Sequence, residues 1–221
     1  MSTVGDGTAD YYRAAALPMT ALVNITLMCW VYYDSTSEKG RIIMIGQGST
    51  DGYGFAIGSG NDGVSGNEVL VVYDGVAWLD PNTNAGTGWH HIALTRDNVA
   101  TPVTRIFLDG TVLGTTFTTV PVTPVVNTTI LASYVSSTPS QFLTLVNRVA
   151  LIKVFNTDLS ANQIVTEMNS YDPVFHTNLV WFAPCDEGTG TTILDYTQKF
   201  TTNLDGVSSP VWADGPPVTK S

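Results

Sequence analysis

The chain has 221 residues, nineteen acidic against nine basic side chains, and a formal charge of −10. That balance argues against sequence-independent nucleic-acid binding, which needs lysine and arginine to neutralise phosphates, and against an anionic membrane surface. Charged residues make up only 13%, with twenty glycines and eleven prolines, a composition that suits many strands joined by tight turns. About two-thirds of the unfolded surface can be buried at this length, so no disulfide framework is required. Two cysteines, Cys29 and Cys185, are too few to build one, and whether they pair stays open. Met1 to Asp6 shows neither the basic region nor the apolar core of an export signal. No run approaches the ~20 apolar residues that span a bilayer.

In chain order, residues 10–33 predict a short strand, an Ala-Leu-Pro connection and a long strand from Ile25 to Tyr33. The long strand is apolar on both faces, as one covered on two sides must be. Arg41 to Gly46 and Tyr53 to Gly58 predict the next pair. Asn67 to Tyr73 follows, with Asp74-Gly75 as a hairpin signal and Val76-Ala77-Trp78 returning. Asp80 to Thr87 reads as an exposed loop. Gly88 to Asp97 and Val103 to Leu108 alternate apolar and polar residues, and Asp109-Gly110 predicts a type I′ turn with positive φ at both positions. Residues 115–140, rich in Thr, Val, Pro and Ser, predict short edge strands and long loops. Arg148 to Phe155 predicts a buried strand. Ser160 and Gln163 form a capping box, with Leu159 and Ile164 as a staple, so one helix is predicted over residues 161–170 and ends at Asp172-Pro173.

Five segments together resemble the laminin G-like, concanavalin A-like lectin jelly rolls. They are Gly5 to Tyr12, Ile25 to Val31, Gly88-Trp89-His90-His91-Ile92-Ala93, Leu108-Asp109-Gly110, and Asn147 to Phe155 followed by Leu159-Ser160. The resemblance implies an all-β sandwich of two antiparallel sheets with one short helix near residues 160–170. Residues 178–192, through Trp181, Asp186-Glu187-Gly188 and Thr189, resemble the segment that usually opens such domains, yet here they come last. A circularly permuted order is expected, residues 178–217 completing the sandwich in a single domain over 1–221. A second domain of so few residues would have a poor core.

Glycoside hydrolysis needs two carboxylates flanking the scissile bond, about 5 to 5.5 Å apart for retention. Hydrolase relatives on this fold carry them as Glu-x-Asp-x-x-Glu. None of Glu38, Glu68, Glu167 and Glu187 stands in that pattern, so no enzyme is expected. His90 and His91 are adjacent on a strand and point to opposite faces, so they cannot share a ligand sphere, and His176 lies in a distant loop. Calcium is the candidate cation, because the family often binds it in an Asp-x-Ser-Gly-Asn-Gly loop. Asp195 matches the start of that loop, but Gln198-Lys199-Phe200 replaces its end, so Asp195 is read as a turn former and no metal or other cofactor is assigned. Trp30, Trp89 and Trp181 read as core. Tyr53, Tyr73, Asp74 and Trp78 gather on two neighbouring hairpins and are the candidate ligand patch, aromatic faces for stacking beside a polar group.

Two functions follow from the resemblance. The first is a non-catalytic structural module on a virion surface, a capsid decoration or a tail or fibre component with an adhesive role, because similar jelly rolls are encoded by bacteriophages. Its partners would be other virion proteins, surface glycans or further copies in a homo-oligomer. The alternative is a soluble lectin that recognises polysaccharide.

Overall fold

The computed structural model describes residues 2–4, 12–14, 24–33, 40–46, 54–59, 70–74, 78–97, 101–118, 128–130, 133–135, 138–140, 148–198, 201–204, 211–218 and 220. Its elements open with β1 (Ser2–Val4), β2 (Tyr12–Ala14), β3 (Ile25–Tyr33), β4 (Gly40–Gly46), β5 (Gly54–Ser59), β6 (Leu70–Asp74) and β7 (Trp78–Leu79). The middle of the chain gives β8 (Gly88–Asp97), β9 (Val103–Leu108), β10 (Thr111–Phe117), β11 (Thr128–Ile130), β12 (Ser133–Val135), β13 (Thr138–Ser140) and β14 (Arg148–Phe155). Helix α1 (Ala161–Met168) follows, then β15 (Leu179–Ala183), β16 (Thr192–Leu194), β17 (Thr201–Leu204) and β18 (Val211–Ala213).

All pairings are antiparallel among the described residues. The first sheet runs β10-β9-β8-β3-β14-β1-β18, with β15 also on β14; the second runs β16-β17-β2-β11-β4-β5-β6-β7. β1 takes the first residues of β14 and β15 the last, so both share one edge of that strand. The architecture is the expected all-β, two-sheet antiparallel jelly roll with one short helix.

The core follows from period-two alternation. Ile25, Leu27, Cys29, Val31 and Tyr33 meet Ile43, Ile45 and Leu79 of the second sheet between the layers, with Trp181 and Ile193. Even-numbered Met28 and Trp30 face the other way and are buried too, Met28 beside Leu159 and Ile164, Trp30 beside Tyr171 and Phe182. This explains the doubly apolar strand: the helix and its flanking loops cover the outer face. Thr26 Oγ1 fastens the cover by donating to Thr157 O at 2.7 Å and accepting the Leu159 N–H at 2.9 Å. Trp30 Nε1 donates to Met168 O at 3.3 Å, capping the far end of the helix. Of the tryptophans read as core, Trp30 and Trp181 are buried, but Trp89 is only partly so and stands edge-on to Tyr32. The loop of residues 80–87 also departs from expectation: Pro81 and Ala85 are buried, because Ala85 packs into the inter-sheet core. Cys29 and Cys185 are both buried free thiols, and burial pushes both pKa values well up, so they act as small hydrophobes.

One irregularity serves the outer layer. Pairing of β14 with β3 slips between Ala150 and Lys153, and Leu151 has a φ of +50°. The extra residue puts Ala150 and Leu151 both in the outer cluster while Val149, Ile152 and Val154 stay in the inter-sheet core.

The Asp109–Gly110 turn forms as its sequence requires, with φ +50° and +75°. The motif around it has a direct cause: Asp109 Oδ1 accepts the His91 N–H at 2.8 Å, and Oδ2 lies 2.9 Å from His90 Nδ1. α1 packs on this turn, so a Cβ at Gly110 would stand 2.9 Å from Val165 Cγ2 and 3.3 Å from Met168 Cε. Gly110→Ala is therefore expected to cost ~1–2 kcal/mol from the left-handed backbone, plus the displacement of Val165, read as a lower urea midpoint at unchanged m-value.

Candidate functional site

The register of the second sheet sorts its residues into two rows. Leu204, Tyr12, Ile130, Ile43, Ile57, Val72 and Leu79 stand opposite one another from strand to strand. Ile43 and Leu79 are in the inter-sheet core, so this row faces inward. One residue out of step runs Thr192, Asn203, Arg13, Thr129, Met44, Ala56, Tyr73 and Trp78. By alternation those positions lie on the face turned away from the other sheet. At ~4.8 Å per strand the row crosses roughly 30 Å, apolar inside and largely polar or aromatic outside. The helix is packed on the first sheet, not on this one.

Of the predicted patch, Tyr73 and Trp78 are directly opposed across β6 and β7 and end this outer row. Asp74 is the next residue along β6, in register with Phe55, and so belongs to the alternate row. Tyr53 lies outside the described residues. The structure thus brings two of the four positions together on one face. Arg13, Thr129 and Asn203, which no local pattern marked, join the row through long-range pairing.

The other candidates resolve into structural roles. His91 is buried edge-on to Trp30, whereas His90 borders Asp109 on the opposite face, as alternation requires. Burial, with the Lys153 charge adding to it, lowers the His91 pKa to about 3. Asp195 makes the expected turn: Oδ1 accepts the Thr197 N–H at 2.9 Å, and the Thr197 hydroxyl donates to it at 2.6 Å. Oδ1 also takes the Phe182 N–H at 3.3 Å, so the carboxylate links the turn to β15. Glu187 accepts the Leu194 N–H at 2.6 Å, and burial raises its pKa. Glu167 is locked in a buried ion pair with Lys153, Nζ to Oε2 2.7 Å. Glu38 and Glu68 lie outside the described residues. Among the described residues no group of three or more His, Cys, Asp or Glu is placed to hold a metal ion, and no helix is long and apolar enough to cross a membrane.

Comparison with known proteins agrees with this architecture. A proposed carbohydrate-binding protein from Bacteroides ovatus superposes with a TM-score of 0.70 at 16% identity, over 96% of this chain. The present chain spans 62% of the length of that protein. The heptameric SAP-like pentraxin from Limulus polyphemus gives 0.62 at 13% identity, over 94% of both chains. The CBM40 of the Ruminococcus gnavus IT-sialidase gives 0.52 at 15% identity, over 75% of this chain and 97% of its own. No curated protein sequence matches. A family model described as the concanavalin A-like lectin/glucanases superfamily matches residues 6–165. With its strand motifs, its sandwich and that match in agreement, the chain belongs to the concanavalin A-like lectin/glucanases superfamily.

Proposed function

We propose that this chain is a non-catalytic carbohydrate-binding module, folded as one permuted domain. The observation that carries the reading is the outer row of the second sheet, where Tyr73 stands opposite Trp78 in line with Met44, Thr129, Arg13 and Asn203. Aromatic rings stack on the apolar faces of sugars, and flanking polar groups fix the hydroxyls. Resemblance in fold to the Bacteroides ovatus protein, described by carbohydrate binding, and to the CBM40 of a sialidase supports it. The pairing of β15, β17 and β18 with β14, β2 and β1 supports the permuted single domain. A virion-surface role, expected from the likeness to phage-encoded jelly rolls, has no comparable support in the fold or the similar proteins. The formal charge of −10 disfavours polyanionic glycans.

A glycan array followed by calorimetry on the best ligand tests this. Tyr73→Ala and Trp78→Ala should each weaken binding at least tenfold, about 1.4 kcal/mol, with the fold unchanged. Binding that survives both substitutions at full strength, or an array without signal, would sink the proposal.

A further inference from the structure

A cluster of aromatic and acidic side chains stands apart from the outer row, on the helix side of the first sheet. The Tyr171 hydroxyl donates to Asp186 Oδ2, and the Tyr196 hydroxyl donates to Asp186 Oδ1 at 3.2 Å. One carboxylate thus anchors two phenol rings, Tyr171 from the loop that follows the helix and Tyr196 from the turn after β16. Phe182 backs both, 6.5 Å from Tyr171 and 5.8 Å from Tyr196, and edge-on to each. A cation already occupies this cage. Lys220 Nζ lies 5.3 Å from the centre of the Tyr171 ring and 5.7 Å from that of Tyr196. Its distance to Asp186 Oδ2 is 3.5 Å, an electrostatic contact rather than a short hydrogen bond. The lysine side chain is 57% exposed, while that of Asp186 is 16% exposed. Val218, two residues earlier, packs against the apolar cluster that contains Tyr171 and Phe182.

The surroundings favour positive charge. Asp172 and Glu187 act on Tyr196 along with Asp186. A groove of about 450 Å³ opens beside the cage, lined by Asp172, His176, Leu179 and Tyr196. Ammonium groups bind over aromatic faces within about 6 Å, through the ring quadrupole rather than through directed hydrogen bonds. The contact seen for Lys220 is of that kind, so it tolerates substitution on nitrogen.

We propose that Tyr171, Tyr196 and Asp186 form a binding cage for the ammonium group of a small cationic ligand, and that Lys220 is its internal occupant, displaced when the ligand enters. The proposal is independent of the carbohydrate reading. It assigns the groove to the body of the ligand and the cage to its charged end.

Tetramethylammonium chloride is the probe, with sodium chloride at equal ionic strength as the reference and the ring signals of Tyr171 and Tyr196 followed by NMR. Saturable shifts with tetramethylammonium and not with sodium are expected. Lys220→Ala, which removes the competitor, should tighten binding about two- to fivefold, the worth of one exposed cation–ring contact. Tyr196→Ala should abolish the shifts at Tyr171 while core signals stay in place; Tyr196 is 46% exposed, so the fold tolerates its loss. Asp186→Asn should weaken the probe as well. Equal responses to sodium and tetramethylammonium, or no saturable shift in the Lys220→Ala protein, would overturn the assignment.

Discussion

Glu167→Ala is expected to lower the unfolding free energy by about 3–5 kcal/mol, the cost of stripping one partner from a buried ion pair. The side chains of Lys153 and Glu167 are 2% and 0% exposed. Lys153 Nζ donates to Glu167 Oε2 at 2.7 Å, to Glu167 O at 2.9 Å and to Ser170 O at 2.8 Å. Glu167 Oε1 accepts the Val174 N–H at 2.8 Å and the Phe175 N–H at 2.7 Å. The pair therefore joins three things: the outer face of β14, the last turn of α1, and the loop beyond it. Removing the carboxylate takes the acceptor from two half-buried N–H groups and leaves an ammonium with only carbonyls. Burial pulls the Lys153 pKa down, with Glu167 opposing, so the lysine can relieve itself by losing a proton. Lys153→Met leaves Glu167 with its two N–H donors and should cost less than Glu167→Ala. The double variant Lys153→Met with Glu167→Leu should recover much of the loss, since a well-packed apolar pair replaces a desolvated ionic one. Urea unfolding of the three variants reads all of this. Equal stability of Glu167→Ala and wild type would show that the pair holds nothing together.

The second large effect is acid sensitivity centred on His91. Its pKa is about 3 in the folded protein against 6.5 ordinarily, chiefly through burial. Between those values the unfolded chain carries a proton that the native chain refuses. Stability from this residue is thus complete above about pH 6.5, declines as pH falls, and is exhausted near pH 3. The whole shift is worth roughly 4–5 kcal/mol, and about 3 kcal/mol of it falls between pH 7 and pH 4. His91→Phe keeps an aromatic edge toward Trp30, whose ring centre is 5.5 Å away. The substitution should remove that portion of the pH dependence, measured as the difference in unfolding free energy between the two pH values. An unchanged slope would mean that His91 is charged in the native state. Asp186 adds a smaller loss at lower pH. Burial raises its pKa, but hydrogen bonds from Tyr171 and the charge of Lys220 outweigh this and hold it below 3.8. Its contribution is present above the ordinary value and fades as pH falls through the depressed one.

Much of the frame was legible because its causes are local. Positive φ at Asp109 and Gly110 and the Ser160–Gln163 capping box each act within a few residues, and Gln163 Oε1 does accept the Ser160 N–H, at 2.9 Å; β8 forms over Gly88–Asp97 as expected, but it is buried without a break from His91 to Arg96 instead of alternating. The both-sided apolar character of Ile25–Tyr33 announced a covered outer face, though not what covers it. The bulge at Leu151 was hidden, since an unbroken apolar run gives no sign of where a strand slips register. Of the candidate patch, Tyr73 and Trp78 could be found because one short hairpin joins them. Arg13 and Asn203 could not, because strand order rather than sequence spacing makes them neighbours. The Tyr171, Asp186, Tyr196 and Lys220 cluster escaped for the same reason, each residue being ordinary in its own segment.

Because β1 is wedged between β14 and β18, with Ser2 opposite Ala213, it has no partner until β14 is made and is flanked on both sides only when β18 follows. A ribosome would release β1 long before its neighbours exist, leaving an unpaired edge to wait. Such distant pairing makes for a high contact order and places refolding in the millisecond-to-second regime. During that interval the naked margin of β1 is where nascent copies would stick to one another, so yield should improve with a holding chaperone.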